Sequence, residues 1–316
     1  MNYRHAFHAG NFADVFKHAI LARILVYLTR KDAPLRFIDT HAGTGGYDLA
    51  GAEAERTGEW RAGVGRLLAA VAANEAGRTP DLRPPPAPVA ALLEPYLAGL
   101  PAEPPAAMAQ EPHAGPPGSG QGSVVAPFYP GSPMLAARLL RPRDRMIFCE
   151  LHPDDSRLLA ARMRRDRRAR TVEIDGYTAL RAYIPPVERR GLVFIDPPFE
   201  RPDELSALAR ALAAAWRRWP TGVYCVWLPV KDAAQVDDFH AALARAGVRD
   251  LLRLDLAVQA PAAGGPLAAN CLAIVNPPWV LADEARQLLP YLCDLLAQGP
   301  GAGWRVEQVA GEGARA

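Results

Sequence analysis

An acid, two consecutive prolines and an aromatic ring, Asp196-Pro197-Pro198-Phe199, close the apolar run Gly191 to Ile195, and these residue types suit chemistry on an amino group. Prolines donate no backbone hydrogen bond, so the corner offers carbonyl oxygen without competing donors. An exocyclic amine on a nucleobase has two N–H bonds and a lone pair delocalised into its ring. It becomes a useful nucleophile when acceptors draw on both hydrogens, and the Asp196 carboxylate and the Pro197 carbonyl are such acceptors. Phe199 adds a face for the base. Base–aromatic stacking contributes about 1–3 kcal/mol, comparable with the cost of unstacking a nucleotide. Asn276-Pro277-Pro278-Trp279 nearly repeats the device, but it follows the final strand, beyond the candidate ligand turns, and is read as a strand terminator.

Further candidates precede this corner at the ends of other apolar runs. "DTHAGTGG" (39–46) supplies Gly43, Gly45 and Gly46, which let backbone approach a ligand closely and adopt positive φ. A tight turn of purely structural origin explains these glycines equally well. Glu150 ends the next run and is suited to accept hydrogen bonds from two ribose hydroxyls. Asp175 and Gly176 end a third; Asp175 suits the adenine edge of the same ligand or the cap of a helix from Tyr177 onward, and the two roles are compatible. The turn lacks the G-x-G-x-x-G spacing that brings a helix N-terminus to a pyrophosphate. It therefore fits S-adenosylmethionine, which carries no phosphate, better than a nicotinamide dinucleotide.

Positioning these groups at one rim requires a parallel sheet. Seven strand-like runs are present, at 35–39, 144–150, 170–175, 191–196, 222–230, 249–258 and 271–276. Most are separated by helix-like segments such as 156–167 and 202–219, which predicts a doubly wound α/β fold with a mostly parallel seven-stranded sheet. The last two runs are joined by turn residues alone and predict an antiparallel hairpin at one edge. From Asn11 to Leu28, apolar residues recur at spacings of three and four, an amphipathic helix with Asn11 as N-cap. On this reading Lys17 and His18 belong to its polar face.

Residues 51–125 are too long for a simple crossover and are read as an insertion into a core of 1–50 and 126–316. The insertion is expected to be helical over 53–75. Twelve of the 31 prolines fall between Pro80 and Pro117, so that part is read as a polyproline-like or disordered linker, with docking to an aromatic groove as the alternative. The C-terminal "GEGARA" reads as a frayed tail.

Half of the 316 residues are hydrophobic and the formal net charge is +2, which fits a globular protein whose nucleic-acid contacts would be local. Arginines cluster at 162–170, with Arg189 and Arg190, either along phosphates or as a solvated face. Arg4, His5, His8, Asp14, Lys17 and His18 interrupt the first twenty residues, and no apolar run is long enough for a membrane span, so a cytoplasmic location is expected. The four cysteines lack metal-ligand spacing and read as buried thiols. No metal is expected, and the chain is expected to be a monomer.

Taken together, "YRHAFHAGNFADVFKH" (3–18), "DTHAGTGGY" (39–47), "AERTGEW" (54–60), "YPGSPMLAARLLR" (129–141), "ELHPDD" (150–155), "DGY" (175–177), "RRGLVFIDPPFE" (189–200) and "NPPW" (276–279) make the chain resemble the bacterial 23S ribosomal RNA adenine-N6 methyltransferases. The resemblance covers nearly all of the chain except about 65–125. It implies a Rossmann-like class I methyltransferase core with a small helical insertion, S-adenosylmethionine as donor, 23S rRNA as partner and Asp196 as the catalytic acid residue. It assigns donor contacts to Lys17, His18, His41, Ser132, Glu150, Asp175 and Gly176 and RNA-facing roles to Tyr3 and His5. Family members carry tyrosine where this chain has Phe199, so stacking is kept and a hydroxyl is lost; the insertion here is also longer and richer in proline. Direct transfer to an unstacked adenine is the expected mechanism. The competing readings are a DNA adenine or small-molecule amine methyltransferase, a non-catalytic RNA-binding assembly factor, and a nicotinamide oxidoreductase.

Overall fold

The computed structural model describes residues 4–76, 82–100, 128–262 and 264–310. After a short 3-10 turn, His5–Phe7, helix α1 (Phe12–Thr29) starts where the Asn11 side chain accepts the Asp14 N–H at 3.0 Å, the expected N-cap. Strand β1 (Arg36–Asp39) leads through the glycine turn to the short β2 (Gly46–Asp48). Among the described residues, four helices follow: α2 (Ala52–Thr57), α3 (Glu59–Ala62), α4 (Val64–Ala76) and α5 (Ala87–Leu97). β3 (Phe128–Pro130) pairs antiparallel with β2 and runs into α6 (Ser132–Leu139).

The remainder alternates regularly, with β4 (Arg145–Glu150), α7 (Pro153–Met163), β5 (Ala169–Glu173), α8 (Gly176–Ala182) and β6 (Gly191–Ile195). Next come α9 (Glu204–Arg218), β7 (Val223–Pro229), α10 (Ala233–Arg245), β8 (Leu251–Ala257), β9 (Ala269–Val275), α11 (Leu281–Leu296) and β10 (Gly303–Ala310).

The main sheet has eight strands, in the order β10-β8-β9-β7-β6-β1-β4-β5, which corrects the expectation of seven. β5, β4, β1, β6 and β7 are mutually parallel, and β9 runs antiparallel to both β7 and β8. The expected hairpin forms, but β9 lies inside the sheet and the edge belongs to β10, antiparallel to β8. Every side chain of β10 is exposed or half-buried, so the strand shows no apolar period to read. Its pairing rests on the backbone ladder, with Arg305 beside Asp255 at 3.4 Å.

Sheet register is what builds the site. Ile38 sits opposite Ile147 on one side and Val193 on the other, so the carboxyl ends of β1, β4 and β6 reach one rim carrying Asp39, Glu150 and Asp196. α1 packs against α5, α6, α11 and β9. Val15, Phe16, Ile20, Leu21, Ile24 and Leu25 are fully buried there, each contributing roughly 1.5–3 kcal/mol. The helix therefore has no broad polar face: Lys17 is 4% and His18 2% exposed, correcting their placement on one.

α5 falls within the proline-rich stretch read as a linker and corrects that reading for residues 87–97. Prolines at its start suit the first turn of a helix, and Val89, Leu93 and Tyr96 are buried at spacings of four and three. Residues 101–127 and the tail 311–316 lie outside the described residues. Among the described residues, no helix is long and apolar enough to cross a membrane.

Candidate active site

The strand ends enclose a cleft of about 350 Å³. Glu150 is held at its rim by two backbone donors, Gly43 N–H on Oε2 and His152 N–H on Oε1, both at 2.8 Å. Burial pushes its carboxyl above the ordinary glutamate range despite these donors. A carboxylate oxygen has a second lone pair, so each can still accept from a ligand hydroxyl. Gly43 has a φ of 57°, the left-handed conformation that glycine adopts readily. Gly176 is needed for room: a Cβ there would lie 2.5 Å from the His41 ring and 2.7 Å from the Thr40 carbonyl. Asp175 both lines the cleft and caps α8, accepting the Thr178 N–H at 2.8 Å.

Beneath this rim lies Asp39, which accepts the Ser132 hydroxyl at 2.6 Å and the His41 N–H at 3.2 Å. It is fully buried, and burial raises its carboxyl to about 7 although both donors oppose the shift. Burial likewise lowers His41 to about 4 and His18 to about 3, so both imidazoles are uncharged near neutrality. His18 Nδ1 sits 2.7 Å from the Tyr129 hydroxyl, which is 3.0 Å from that of Tyr96 on α5. Tyr177 donates its hydroxyl to Glu204, closing the far side of the cleft.

Lys17 carries the principal charge contact. Its Nζ lies 2.6 Å from Asp196 Oδ2 and 2.7 Å from Asp14 Oδ1. Burial alone would lower the lysine, but the two carboxylates outweigh it and hold the ammonium above its ordinary value. Burial would raise Asp14; His5, at 3.0 Å from Oδ2, and Lys17 hold it well below the usual range instead. Asp196 Oδ1 accepts no protein hydrogen bond among the described residues, so one oxygen of that carboxylate faces the site uncommitted.

A second chamber, of about 450 Å³, opens on the other side of Asp196, Pro197 and Pro198. Phe199 and Trp227 line it, their ring centroids 5.8 Å apart at 62°. Phe199 has a φ of 51°, uncommon for a bulky residue, which turns its ring away from the first cleft and into the second. The two chambers share the Asp-Pro-Pro corner, Lys17 and His5.

All eight residues predicted for donor contacts, Lys17, His18, His41, Gly43, Ser132, Glu150, Asp175 and Gly176, line the first cleft together with Asp196 and Pro197. Phe199 lines only the second chamber, and His5 lines both; Tyr3 lies outside the described residues. Sequence reasoning missed Asp14, Asp39 and Trp227. Asp14 precedes Lys17 by three residues, so helical spacing alone would have put them together.

The twin motif is at the other end of the sheet. Because β9 is antiparallel, Asn276 emerges beside the start of β7, where its amide donates to the Pro220 and Gly222 carbonyls, both at 2.7 Å. The arginines also lie away from the cleft: 164–168 precede β5, at the amino ends of the parallel strands. Arg168 binds the Ala137 carbonyl and Asp166 there, while Arg164, Arg165 and Arg167 are exposed. Arg162 instead reaches the Thr44 carbonyl near the turn.

Six parallel strands with the antiparallel β9 inserted between the last two, β7 and β8, and a cleft over the carboxyl ends of the parallel strands, make the fold of a class I methyltransferase. A family model described as "Ribosomal RNA large subunit methyltransferase D, RlmJ" matches residues 32–76 and 120–310. Ribosomal RNA large subunit methyltransferase J of Escherichia coli K12 is 36% identical over 300 residues, 92% of each chain. The Haemophilus influenzae protein of the same name is 34% identical over 313 residues, 99% of this chain and 100% of that one. The crystal structure of a Legionella pneumophila protein superposes with a TM-score of 0.75 at 30% identity, over 95% of this chain and 98% of that one. The chain belongs to this ribosomal RNA large subunit methyltransferase family and is an rRNA methyltransferase.

Proposed function

We propose that the protein transfers a methyl group from S-adenosylmethionine to the exocyclic N6 of an adenine in 23S rRNA. The observation that carries this reading is the meeting of two chambers at one corner, Asp196-Pro197-Pro198. One is lined by acids and glycine backbone, the other by aromatic rings.

The residues of the first cleft fit the donor. Glu150, Asp155, Asp175, Asp196, Glu200 and Glu204 line it against Lys17 and Arg201, an acidic balance that suits a sulfonium cation and disfavours the pyrophosphate of a nicotinamide dinucleotide. Neutral His18 and His41 add no opposing charge. In this reading Glu150 takes the ribose hydroxyls, Asp175 the adenine edge, and Ser132, Lys17, His18 and His41 the remaining polar groups. When bound, the donor supplies an electrophilic methyl group.

The chain's own contribution is to orient and polarise the acceptor. Lys17 fixes Oδ2 of Asp196, leaving Oδ1 to accept one N6 hydrogen while the Pro197 carbonyl accepts the other. Phe199 gives the base a face in the second chamber. Drawing on both hydrogens localises the lone pair on N6, and the carboxylate is beside the proton that must leave after transfer.

The test is to incubate the protein with isotopically labelled S-adenosylmethionine and transcribed 23S rRNA, digest to nucleosides and identify the product by mass spectrometry. Labelled N6-methyladenosine, absent with Asp196→Ala, is the expected result. A folded, donor-binding protein that labels no adenosine refutes the reading.

A further inference from the structure

Trp227 has no part in the sequence motifs, yet the structure surrounds it with the reacting groups. It sits on β7 between Val226 and Leu228, both fully buried, but is itself only partly buried and lines the second chamber. Its ring meets Phe199 edge-on, with centroids 5.8 Å apart, and the Lys17 ammonium lies 5.6 Å from its centroid. Both distances fall within the range where aromatic pairs and cation–π contacts are attractive.

The indole is also held in orientation. Its Nε1–H donates to Asn270 Oδ1 at 3.0 Å, and the Asn270 amide donates to the Leu256 carbonyl at 3.0 Å. Asn270 is fully buried. A buried carboxamide is costly unless its groups are bonded, and these two bonds fix the indole between neighbouring strands. A residue needed only to fill volume would not require that bracket.

We propose that Trp227, held by Asn270, is a positioning residue for methyl transfer. It packs edge-on against the half-buried Phe199 ring and keeps it at the angle against which the acceptor base lies. It also walls one side of the Lys17 ammonium, so that the lysine stays on Asp196. This rests on the amino-methyl transfer proposed above.

Single-turnover methylation of transcribed 23S rRNA by Trp227→Leu, with donor affinity and melting temperature measured in parallel, tests it. The expected result is a rate constant lowered about tenfold, the loss of one aromatic pair and one cation–π contact, with donor affinity unchanged. Trp227→Phe restores the aromatic pair but not the bond to Asn270, so it is expected to recover only part of the rate. A rate within twofold of wild type, or a loss matched by an equal loss of donor affinity, overturns the proposal. If the leucine variant does not fold, Asn270→Ala decides, because it leaves the indole in place but unanchored: an unchanged rate there is the overturning result. Wild-type protein that forms no N6-methyladenosine sinks the reaction itself and this role with it. Wild-type activity alongside an equally active Trp227→Leu sinks the role alone.

Discussion

Replacing Lys17 by methionine keeps the length of the side chain and removes the ammonium from between two carboxylates. The Nζ lies 2.7 Å from Asp14 and 2.6 Å from Asp196. At an effective dielectric constant of about 20, each contact is worth roughly 6 kcal/mol of attraction before desolvation is subtracted. What counts is the state left behind: Asp14 is fully buried and would keep only His5 and the Gly10 N–H as partners. Removing one partner of a buried ion pair costs about 3–5 kcal/mol, and these residual contacts put the expected loss near the lower figure, about 3 kcal/mol. Denaturant unfolding of wild type and Lys17→Met near neutral pH measures it. The pH dependence has a definite sign. Asp14 is held below its unfolded value, so the stability it contributes with Lys17 is present above that value and is lost as pH falls through the lower, folded one. The gap between wild type and variant should therefore narrow in strong acid. By contrast, Asp196→Asn keeps an acceptor for Lys17, which also keeps Asp14, and should cost about 1.5–2 kcal/mol, less than the lysine substitution, while abolishing methyl transfer. A Lys17→Met loss below about 1 kcal/mol would show the triad behaving as a solvated surface pair and refute the reasoning.

Glu150→Ala removes the acceptor that orders the Gly43 and His152 amides, and titration calorimetry with S-adenosylmethionine should show affinity lowered roughly 10- to 100-fold, the size of charge-assisted hydrogen bonds. Gly176→Ala drives a methyl group to 2.7 Å from the Thr40 carbonyl, which is backbone and has little freedom to yield, so donor binding should fall at least as far; retained affinity would show the turn is pliable. Burial lowers His41 to about 4, so the unfolded chain binds the extra proton between about pH 4 and 6.5, and its contribution to stability is lost as pH falls through that window; His41→Asn should reduce the slope of stability against pH there by up to about 1.4 kcal/mol per unit. Asn276→Ala, at the far end of the sheet, should lower unfolding free energy by about 1–2 kcal/mol yet leave turnover per folded molecule unchanged, and a loss of turnover would bring the second Pro-Pro corner into the reaction.

The legible parts of this protein were those whose burial or chemistry leaves a local trace. Parallel strands buried on both faces read as apolar runs, and Asp175 showed its capping role through the glycine and helix after it. β10 was illegible because an edge strand held by backbone pairing needs no apolar period. α5 was hidden by its prolines, which count against a helix in composition, although Pro88 suits its first turn and Pro95 falls in its last. Lys17 and His18 looked like a solvent face because nothing within α1 reveals that α5, α6 and α11 will cover it. Their assignment to the site came from resemblance, and the partner that explains the lysine, Asp196, is 179 residues away. Trp227 and Asn270 are joined by a diagonal side-chain bond between β7 and β9, where Trp227 faces Leu272 and Asn270 faces Pro229, a relation that local sequence does not carry.

That separation bears on how the protein is made. α1 is synthesised early, but Lys17 has no second carboxylate until β6 emerges, and the indole beside it is fixed only after β9 has threaded between β7 and β8. The corner around Asp196 is therefore fully assembled only in the last quarter of synthesis, once β9 has joined β7 and β8.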